Sequence, residues 1–304
     1  MLRRDVLRII AAAGAGTALG GRIARATEPA TMITRKIPKS GEAIPVIGLG
    51  TSRVFDVGTR KDERAPLAGV LDAMIGDGAR VIDSSPMYGR AEEVVGDLVE
   101  ASGKRDRFFL ASKVWTKGRK EGADQIEASF RKLRTKHLDL MQVHNLLDLD
   151  TQLATLRHLK GEGRIRYVGV SHWNASAYDD LESVLRREDL DFVQLNYSVV
   201  EREAEKVLLP LAKDRGVAVL VNRPFAQGQL FAKVKGRALP DWAASLGIAS
   251  WGQLMLKFVV SHDAVTCAIP ATAKPEHMHD DAAAGSGPMP DAASRERIAA
   301  LFQD

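Results

Sequence analysis

The sequence predicts one α/β domain folded as a (β/α)8 barrel, the TIM-barrel architecture, with an N-terminal β-hairpin capping the barrel floor. Three observations lead there. From about residue 45 onward, eight short apolar runs rich in β-branched residues alternate with longer segments of helical period. Runs such as Phe192-Val193-Gln194-Leu195 are too continuously apolar for a sheet with one wet face, which points to parallel strands covered on both sides. Eight repeats of strand and helix suit a closed barrel better than an open doubly wound sheet.

The first element stands apart from that pattern. Arg3-Arg4-Asp5-Val6-Leu7-Arg8 leads into a weakly apolar Ala/Gly-rich run from Ile9 to Gly21 and then Ala24-Arg25-Ala26, a charged head, apolar stretch and small-residue cleavage site in the order of a secretory signal. It resembles a twin-arginine export signal. Residues 1–26 are therefore expected to be a removable address and residues 27–304 the barrel, with the mature protein in the periplasm or outside the cell. The alternative is a cytoplasmic protein with a basic head. The apolar run is shorter than the roughly 20 residues that cross a bilayer, so no membrane anchor is expected after cleavage.

Next, 33–47 reads as a hairpin turning at Lys39-Ser40-Gly41-Glu42. The barrel strands are expected at Val46 to Gly50, Arg80 to Ser84, Phe108 to Lys113, Leu138 to His144, Tyr167 to Ser171, Phe192 to Asn196, Val217 to Asn222 and Val265 to Pro270. Between them Leu67, Val70, Leu71, Met74 and Ile75 sit at helical spacing, as do Ile126, Phe130 and Leu133, then Leu149, Leu153, Leu156 and Leu159, and finally Trp251, Leu254, Met255 and Phe258. The connection over residues 223–248 is too long to be a simple turn, and long loops in compact domains are usually functional.

Charge narrows the partners. The 304-residue chain is 45% hydrophobic with a net charge of +4. Residues 1–26 hold five arginines and one acid, so the rest balances at 38 basic against 38 acidic residues. A neutral body without a basic stripe argues against a nucleic-acid partner. The lone cysteine, Cys267, has no partner within the chain for a disulfide. Nothing in the sequence fixes an oligomeric state.

In a barrel of this kind, polar residues at the C-terminal ends of strands face the mouth, where chemistry takes place. That rule selects Asp83 with Tyr88-Gly89 just beyond it, Lys113, His144-Asn145, Ser171-His172, Gln194, Asn196 and Asn222-Arg223. Four of them fit carbonyl reduction. A free tyrosine, with a pKa near about 10, gives up its proton reluctantly. An ammonium such as Lys113 beside Tyr88 favours the phenolate, and a carboxylate such as Asp83 keeps the lysine in place and charged. His144 donates a hydrogen bond to the substrate oxygen. Singly, each has a plainer reading: Asp83 and Lys113 as a buried ion pair, His144 as a core histidine, Tyr88 as a loop residue, Lys113 as a Schiff-base lysine. Their placement on three consecutive strand ends is harder to explain as accident.

The motif residues now support a family resemblance. Gly78 through Gly89, reading Gly-Ala-Arg-Val-Ile-Asp-Ser-Ser-Pro-Met-Tyr-Gly, is similar to the aspartate signature of the aldo-keto reductases. Phe109-Leu110-Ala111-Ser112-Lys113-Val114-Trp115 resembles that family's lysine strand, and Leu138 through His144 its histidine strand. The resemblance continues through Gly163 to Ser171, Gln194-Leu195-Asn196-Tyr197 and Ile269-Pro270, covering about residues 32 to 285. It implies a catalytic tetrad of Asp83, Tyr88, Lys113 and His144, with NADP(H) extended across the mouth and no glycine-rich phosphate loop. It implies further that Gly50 and Thr51 line the cofactor site, that Ser171, His172 and Gln194 hold the nicotinamide carboxamide, and that Arg223, Phe225 and Gln227 approach the pyrophosphate. Asn222 stands where many relatives stack an aromatic ring on the nicotinamide. At the adenine end, Thr272, Lys274 and His277 supply donors for a 2′-phosphate, with His277 at the position of an arginine and Asp280-Asp281 close behind, so NAD(H) stays open beside NADP(H). The cluster of His277, His279, Asp280 and Asp281 reads equally as a metal site or a solvated helix start, and no metal is expected.

Met87, Trp115, Asn145 and Trp173 are the residues placed to meet a substrate. They suit an aldehyde, ketone or sugar-like carbonyl without choosing among them. The rival reading, also drawn from the family, is a non-catalytic nicotinamide-binding, redox-sensing subunit of a larger assembly.

Overall fold

The structure, a computed structural model, describes residues 31–303, so the expected export signal lies outside the described residues. Strands β1 (Thr34–Lys36) and β2 (Ala43–Pro45) pair antiparallel, Arg35 opposite Ile44, as the expected hairpin. Then eight strands run parallel in sequence order: β3 (Leu49–Gly50), β4 (Val81–Asp83), β5 (Phe109–Val114), β6 (Leu138–His144), β7 (Ile165–Ser171), β8 (Phe192–Asn196), β9 (Ala218–Asn222) and β10 (Val265–Ala268). Backbone bonds close the ring, from Gly48 N to Ala268 O, Ala268 N to Val46 O and Gly50 N to Pro270 O, each 2.8 Å.

Around the ring lie α1 (Lys61–Gly76), α2 (Ala91–Ser102), α3 (Arg119–Lys132), α4 (Leu149–Gly161), α5 (Tyr178–Arg187) and α6 (Leu208–Asp214). A short α7 (Gln229–Lys233) sits in the long connection, followed by α8 (Trp251–Val260), α9 (Pro275–Ala283) and α10 (Ala292–Ala300). Their apolar faces explain their places. Leu67, Val70, Leu71 and Met74 of α1 are buried, as are Leu153, Leu156 and Leu159 of α4.

Two strand ends differ from expectation. The first strand is shorter than residues 46–50, because Val46 also bonds back to Ile33 and Ile47 makes an isolated bridge to Ala268, so this stretch serves hairpin and barrel together. The last strand stops at Ala268 instead of Pro270, since proline has no N–H to continue a ladder. Gly48 answers a close approach of neighbouring strands: a Cβ there would come within 2.8 Å of the Val81 carbonyl oxygen, so β3 and β4 meet backbone to backbone.

The core divides by the two-residue period of the strands. One set of side chains packs outward against the helices, including Ile82, Leu110, Met141, Val143 and Val193. The inward set makes a separate cluster of Val81, Phe109, Leu140, Tyr167, Phe192, Ala218 and Leu220, and the hairpin completes it with Ile37 and Ile44, both fully buried. Glu42 ties the hairpin to the floor by bonding to the Tyr167 hydroxyl at 2.7 Å and pairing with Arg80 at 3.0 Å and with Arg166. The hairpin is therefore a plug with an ionic rim.

Truncating that plug tests its role. Ile44→Ala should lower stability by about 2–5 kcal/mol, the usual cost of hollowing a packed aliphatic site. Urea unfolding followed by circular dichroism reads the shift in midpoint, and an unchanged midpoint would mean the hairpin is not part of the cooperative core.

Candidate active site

Each inward-facing row turns from apolar at the floor to polar at the mouth: Val81 then Asp83 on β4, Phe109, Ala111 then Lys113 on β5, Leu140, Gln142 then His144 on β6. Lys113 is fully buried and Asp83 is 3% exposed. Lys113 Nζ donates to Asp83 Oδ2 at 2.5 Å and to the Ser84 carbonyl at 2.8 Å. Gln142 Nε2 donates to the other oxygen, Asp83 Oδ1, at 3.2 Å. The same ammonium lies 5.2 Å from the centre of the Tyr88 ring. Burial works to lower the lysine's pKa, but the Asp83 carboxylate and the Tyr88 phenol oxygen outweigh it, and the net shift is upward.

Tyr88 is carried on a tight turn between β4 and α2. Its N–H donates to the Ser85 carbonyl, and its own carbonyl accepts from Ala91 N at 3.0 Å. Gly89 follows at φ +58°, with the Asp56 carboxylate filling the space a side chain would need. Asp56 Oδ1 also accepts from Arg90 N at 2.9 Å, so the loop after β3 pins the turn that presents the tyrosine.

His144 is 6% exposed, and its Nδ1 lies 2.8 Å from Ser171 Oγ. Burial first, then the positive charge of Lys113 and the neighbouring His172, drive its pKa down to about 3. The ring is neutral at working pH, with one nitrogen protonated and Nδ1 paired with the Ser171 hydroxyl. Asp83, Tyr88, Lys113 and His144 are thus brought together as the sequence suggests.

The rest of the mouth holds polar atoms in search of partners. Gln194 Nε2, Asn222 Oδ1 and Asn145 Oδ1 are buried without a hydrogen bond. One buried donor and two buried acceptors match the needs of a primary carboxamide, which offers a C=O and an NH2. Ser171, expected in that role, spends its hydroxyl on His144, and the His172 ring accepts from Asn174 N at 3.1 Å. Asn196 is tied down by Tyr178 and Glu201.

A cavity of about 330 Å³ opens between the loops after β3, β9 and β10. Arg223, Phe225 and Gln227 line it from the long connection, joined by Ser52 and Arg53, two residues the sequence reading passed over. Gly50 and Thr51 lie beneath: Gly50 serves strand closure, and Thr51 Oγ1 donates to the Asp83 carbonyl at 3.0 Å. Trp115 and Trp173 are 44% and 41% exposed, Trp173 lying against the Arg223 guanidinium, and Met87 and Asn145 are half-buried. Gln142 was also missed, and its signal was available as a polar residue two positions before His144 on the inward face.

At the adenine end Lys274 and His277 are exposed at the start of α9, and Thr272 Oγ1 accepts from Lys274 N at 3.1 Å. The acids behind them turn away. Asp280 accepts from Ser250 Oγ at 2.6 Å and Gln253 Nε2 at 2.7 Å, holding the N-terminus of α8. Asp281 is buried, and that burial, with Asp280 beside it, pushes its pKa up to about 8. His279 pairs with Asp77 at 2.6 Å, so the four side chains of this cluster do not converge. Among the described residues no group of three or more His, Cys, Asp or Glu side chains is placed to hold a metal ion.

Comparison with known proteins agrees with this geometry. The model of the aldo/keto reductase family matches residues 46–297. The methylglyoxal reductase YeaE of Escherichia coli strain K12 is 31% identical over 260 residues, 83% of this chain and 89% of that protein. The aldo-keto reductase YhdN of Bacillus subtilis strain 168 is also 31% identical, over 62% of this chain and 60% of its own length. The crystal structure of a Klebsiella pneumoniae aldo-keto reductase in complex with NADPH superposes with a TM-score of 0.76 at 29% identity, covering 90% of this chain and 96% of that one. A family model spanning most of the chain, and a site assembled from the family's own motifs, lead to one conclusion: this protein belongs to the aldo/keto reductase family.

Proposed function

We propose that the chain is an NADP(H)-dependent oxidoreductase that interconverts a carbonyl compound and an alcohol, with Tyr88 as the proton donor and acceptor. The observation that carries this reading is the buried Lys113 ammonium, bonded to Asp83 and set against the Tyr88 ring. A bound nicotinamide supplies the hydride. The protein's part is the proton: Tyr88 delivers it to the carbonyl oxygen, and Lys113 stabilises the phenolate left behind. Asp83 keeps the ammonium charged despite its burial. Neutral His144 donates from Nε2 to the same oxygen and orients the substrate as negative charge develops there. Gln194, Asn145 and Asn222 are suited to hold the carboxamide, and the complete tetrad favours catalysis over a purely sensory subunit.

Lys274 and His277 stand exposed where a 2′-phosphate is expected, and the acids that would repel it face α8, which favours NADP(H) over NAD(H). The substrate is a small aldehyde, ketone or sugar-like carbonyl, met by Met87, Trp115, Asn145 and Trp173. Residues 1–26 are proposed to direct export by a route that carries folded proteins, which lets the barrel close on its cofactor where that cofactor is made.

Kinetics, cofactor titration and export test these statements. Tyr88→Phe should cut turnover of an aldehyde with NADPH by roughly two to four orders of magnitude with cofactor affinity retained, while Lys113→Met should also displace the pH profile. In wild type no inflection near 6.5 should come from His144, because its ring is already neutral; full activity in Tyr88→Phe would remove Tyr88 from the chemistry. Fluorescence titration should find NADPH bound more tightly than NADH, with Lys274→Ala narrowing the difference, and equal affinities in wild type would sink the assignment. Replacing Arg3 and Arg4 by Lys should leave an active, uncleaved protein in the cytoplasm, whereas normal export of that variant would rule out the twin-arginine route.

A further inference from the structure

The loop that follows β5 is tied down from outside the site. Trp115 lies two residues beyond Lys113, and among the described residues its exposed indole makes no hydrogen bond and stacks on no other ring. Its backbone therefore sets its place. Trp115 N donates to Gln125 Oε1 of α3 at 2.6 Å, and Gln125 Nε2 returns a longer bond to the Trp115 carbonyl at 3.4 Å. Further along the loop, Gln152 Nε2 of α4 donates to the Thr116 carbonyl at 3.2 Å and the Gly118 carbonyl at 3.0 Å, while Asp148 Oδ2 accepts from Gly118 N at 2.7 Å. Gln152 carries a penalty in stability. It is fully buried, its Oε1 has no partner, and α3 admits it only because residue 122 is glycine, where a Cβ would collide with that oxygen. A buried orphan acceptor and a glycine inside a helix both destabilise. Packing of α3 on α4 needs neither, since an aliphatic side chain would have no oxygen to orphan, and both bonds that Gln152 makes go to the loop. Asp148 is strained as well: it sits at φ +49°, after Asn145 at +52° and Leu146 at +54°, a backbone region that side-chain-bearing residues keep only when the surroundings enforce it.

We propose that Gln125 and Gln152 are positioning residues for substrate specificity: they hold Trp115 as a fixed wall of the mouth, on which a carbonyl compound carrying an aromatic ring stacks. The proposal rests on the oxidoreductase reading and refines it. Neither glutamine meets the substrate, because the amide groups are committed to the main chain of residues 115–118. An indole offers a large flat face, but only a fixed backbone beneath it spares each binding event the ordering of a slack loop. A small aliphatic aldehyde has no ring to lay on that wall, so its binding depends on the loop far less. Specificity is then set in part by two helices packed outside the barrel.

The experiment compares 4-nitrobenzaldehyde with propanal, using NADPH, for wild type, Gln125→Leu, Gln152→Leu, Trp115→Ala and each glutamine change combined with Trp115→Ala. Fluorine NMR of protein labelled with 5-fluorotryptophan reads the wall directly: the chain has four tryptophans, and the Trp115 line is the one lost in Trp115→Ala. Either glutamine change should broaden or split that line. Each should also lower the ratio of kcat/KM for the aromatic aldehyde to that for propanal by roughly 3- to 10-fold, the worth of one aromatic contact, through KM more than kcat. Gln125→Glu keeps an acceptor for Trp115 N and should recover most of the ratio. Once Trp115 is alanine, neither glutamine change should lower the ratio further, because the group they hold is gone. A sharp, unmoved Trp115 line in both variants overturns the proposal. So does a loss that persists undiminished in the Trp115→Ala background, which assigns the glutamines to general packing. If Gln152→Leu fails to fold, Gln125→Leu at its half-buried position carries the same test. If wild type reduces neither aldehyde, the oxidoreductase reading falls, while the fluorine line and calorimetry of 4-nitrobenzaldehyde on the NADP+ complex still decide whether the glutamines hold Trp115 for an aromatic ligand.

Discussion

The backbone bonds joining Val46, Gly48 and Gly50 to the last strand turn a twisted parallel sheet into a ring, and a ring gives every strand one face toward a shared axis. Residues two apart along a strand then lie in successive layers of one interior. The lower layers are filled by Phe109, Tyr167, Phe192 and the hairpin's Ile37 and Ile44. The uppermost layer collects Asp83, Lys113, His144, Ser171 and Gln194 from five neighbouring strands. No single strand carries a site. Closure makes one, and the glycine at position 50 is part of the cost of that closure because a Cβ there would come within 2.8 Å of the Ile269 carbonyl oxygen.

A fully buried ammonium is a poor choice for stability. Removing both partners of such an ion pair from water costs more than a hydrophobic pair of the same volume would. Here the penalty is offset by a dense set of acceptors, one Asp83 oxygen and the Ser84 carbonyl on the lysine, with Gln142 on the second Asp83 oxygen. The arrangement leaves Lys113 charged against the Tyr88 ring. The same charge adds to burial in keeping His144 neutral, so one buried cation bears on the imidazole as well as lying against the tyrosine ring.

At the other end of the mouth, hydrogen bonding reverses an inference from charge alone. Asp280 and Asp281 follow His277 so closely in sequence that they look like a repulsive pair for any phosphate. Helical geometry sends them elsewhere. Asp280 caps α8 through Ser250 and Gln253, and Asp281 is buried with its carboxyl pushed toward the neutral form. Lys274 and His277 stay on the solvent-facing side, with Glu276 between them.

The sequence alone determined the strand and helix order, the hairpin and the placing of Asp83, Lys113 and His144 at successive strand ends with Tyr88 just beyond the first. Local periodicity and the rule that strand ends face the mouth depend on positions near in the chain, and the motifs around Asp83, Lys113 and His144 are compact enough to read in one dimension. Strand limits shifted where tertiary bonds intervened, as at Val46, or where proline ended a ladder at Ala268. Only the folded chain decided who partners whom across loops. Arg53 and Asp56 carry no signal of their own, yet closure sets them beside Arg223 and beneath Gly89. Ser171 lies against His144, and Asn222 keeps an unsatisfied oxygen, because hydrogen-bond partners at a crowded mouth are settled by distances among five strands. Those distances exist only once the first strand has met the last.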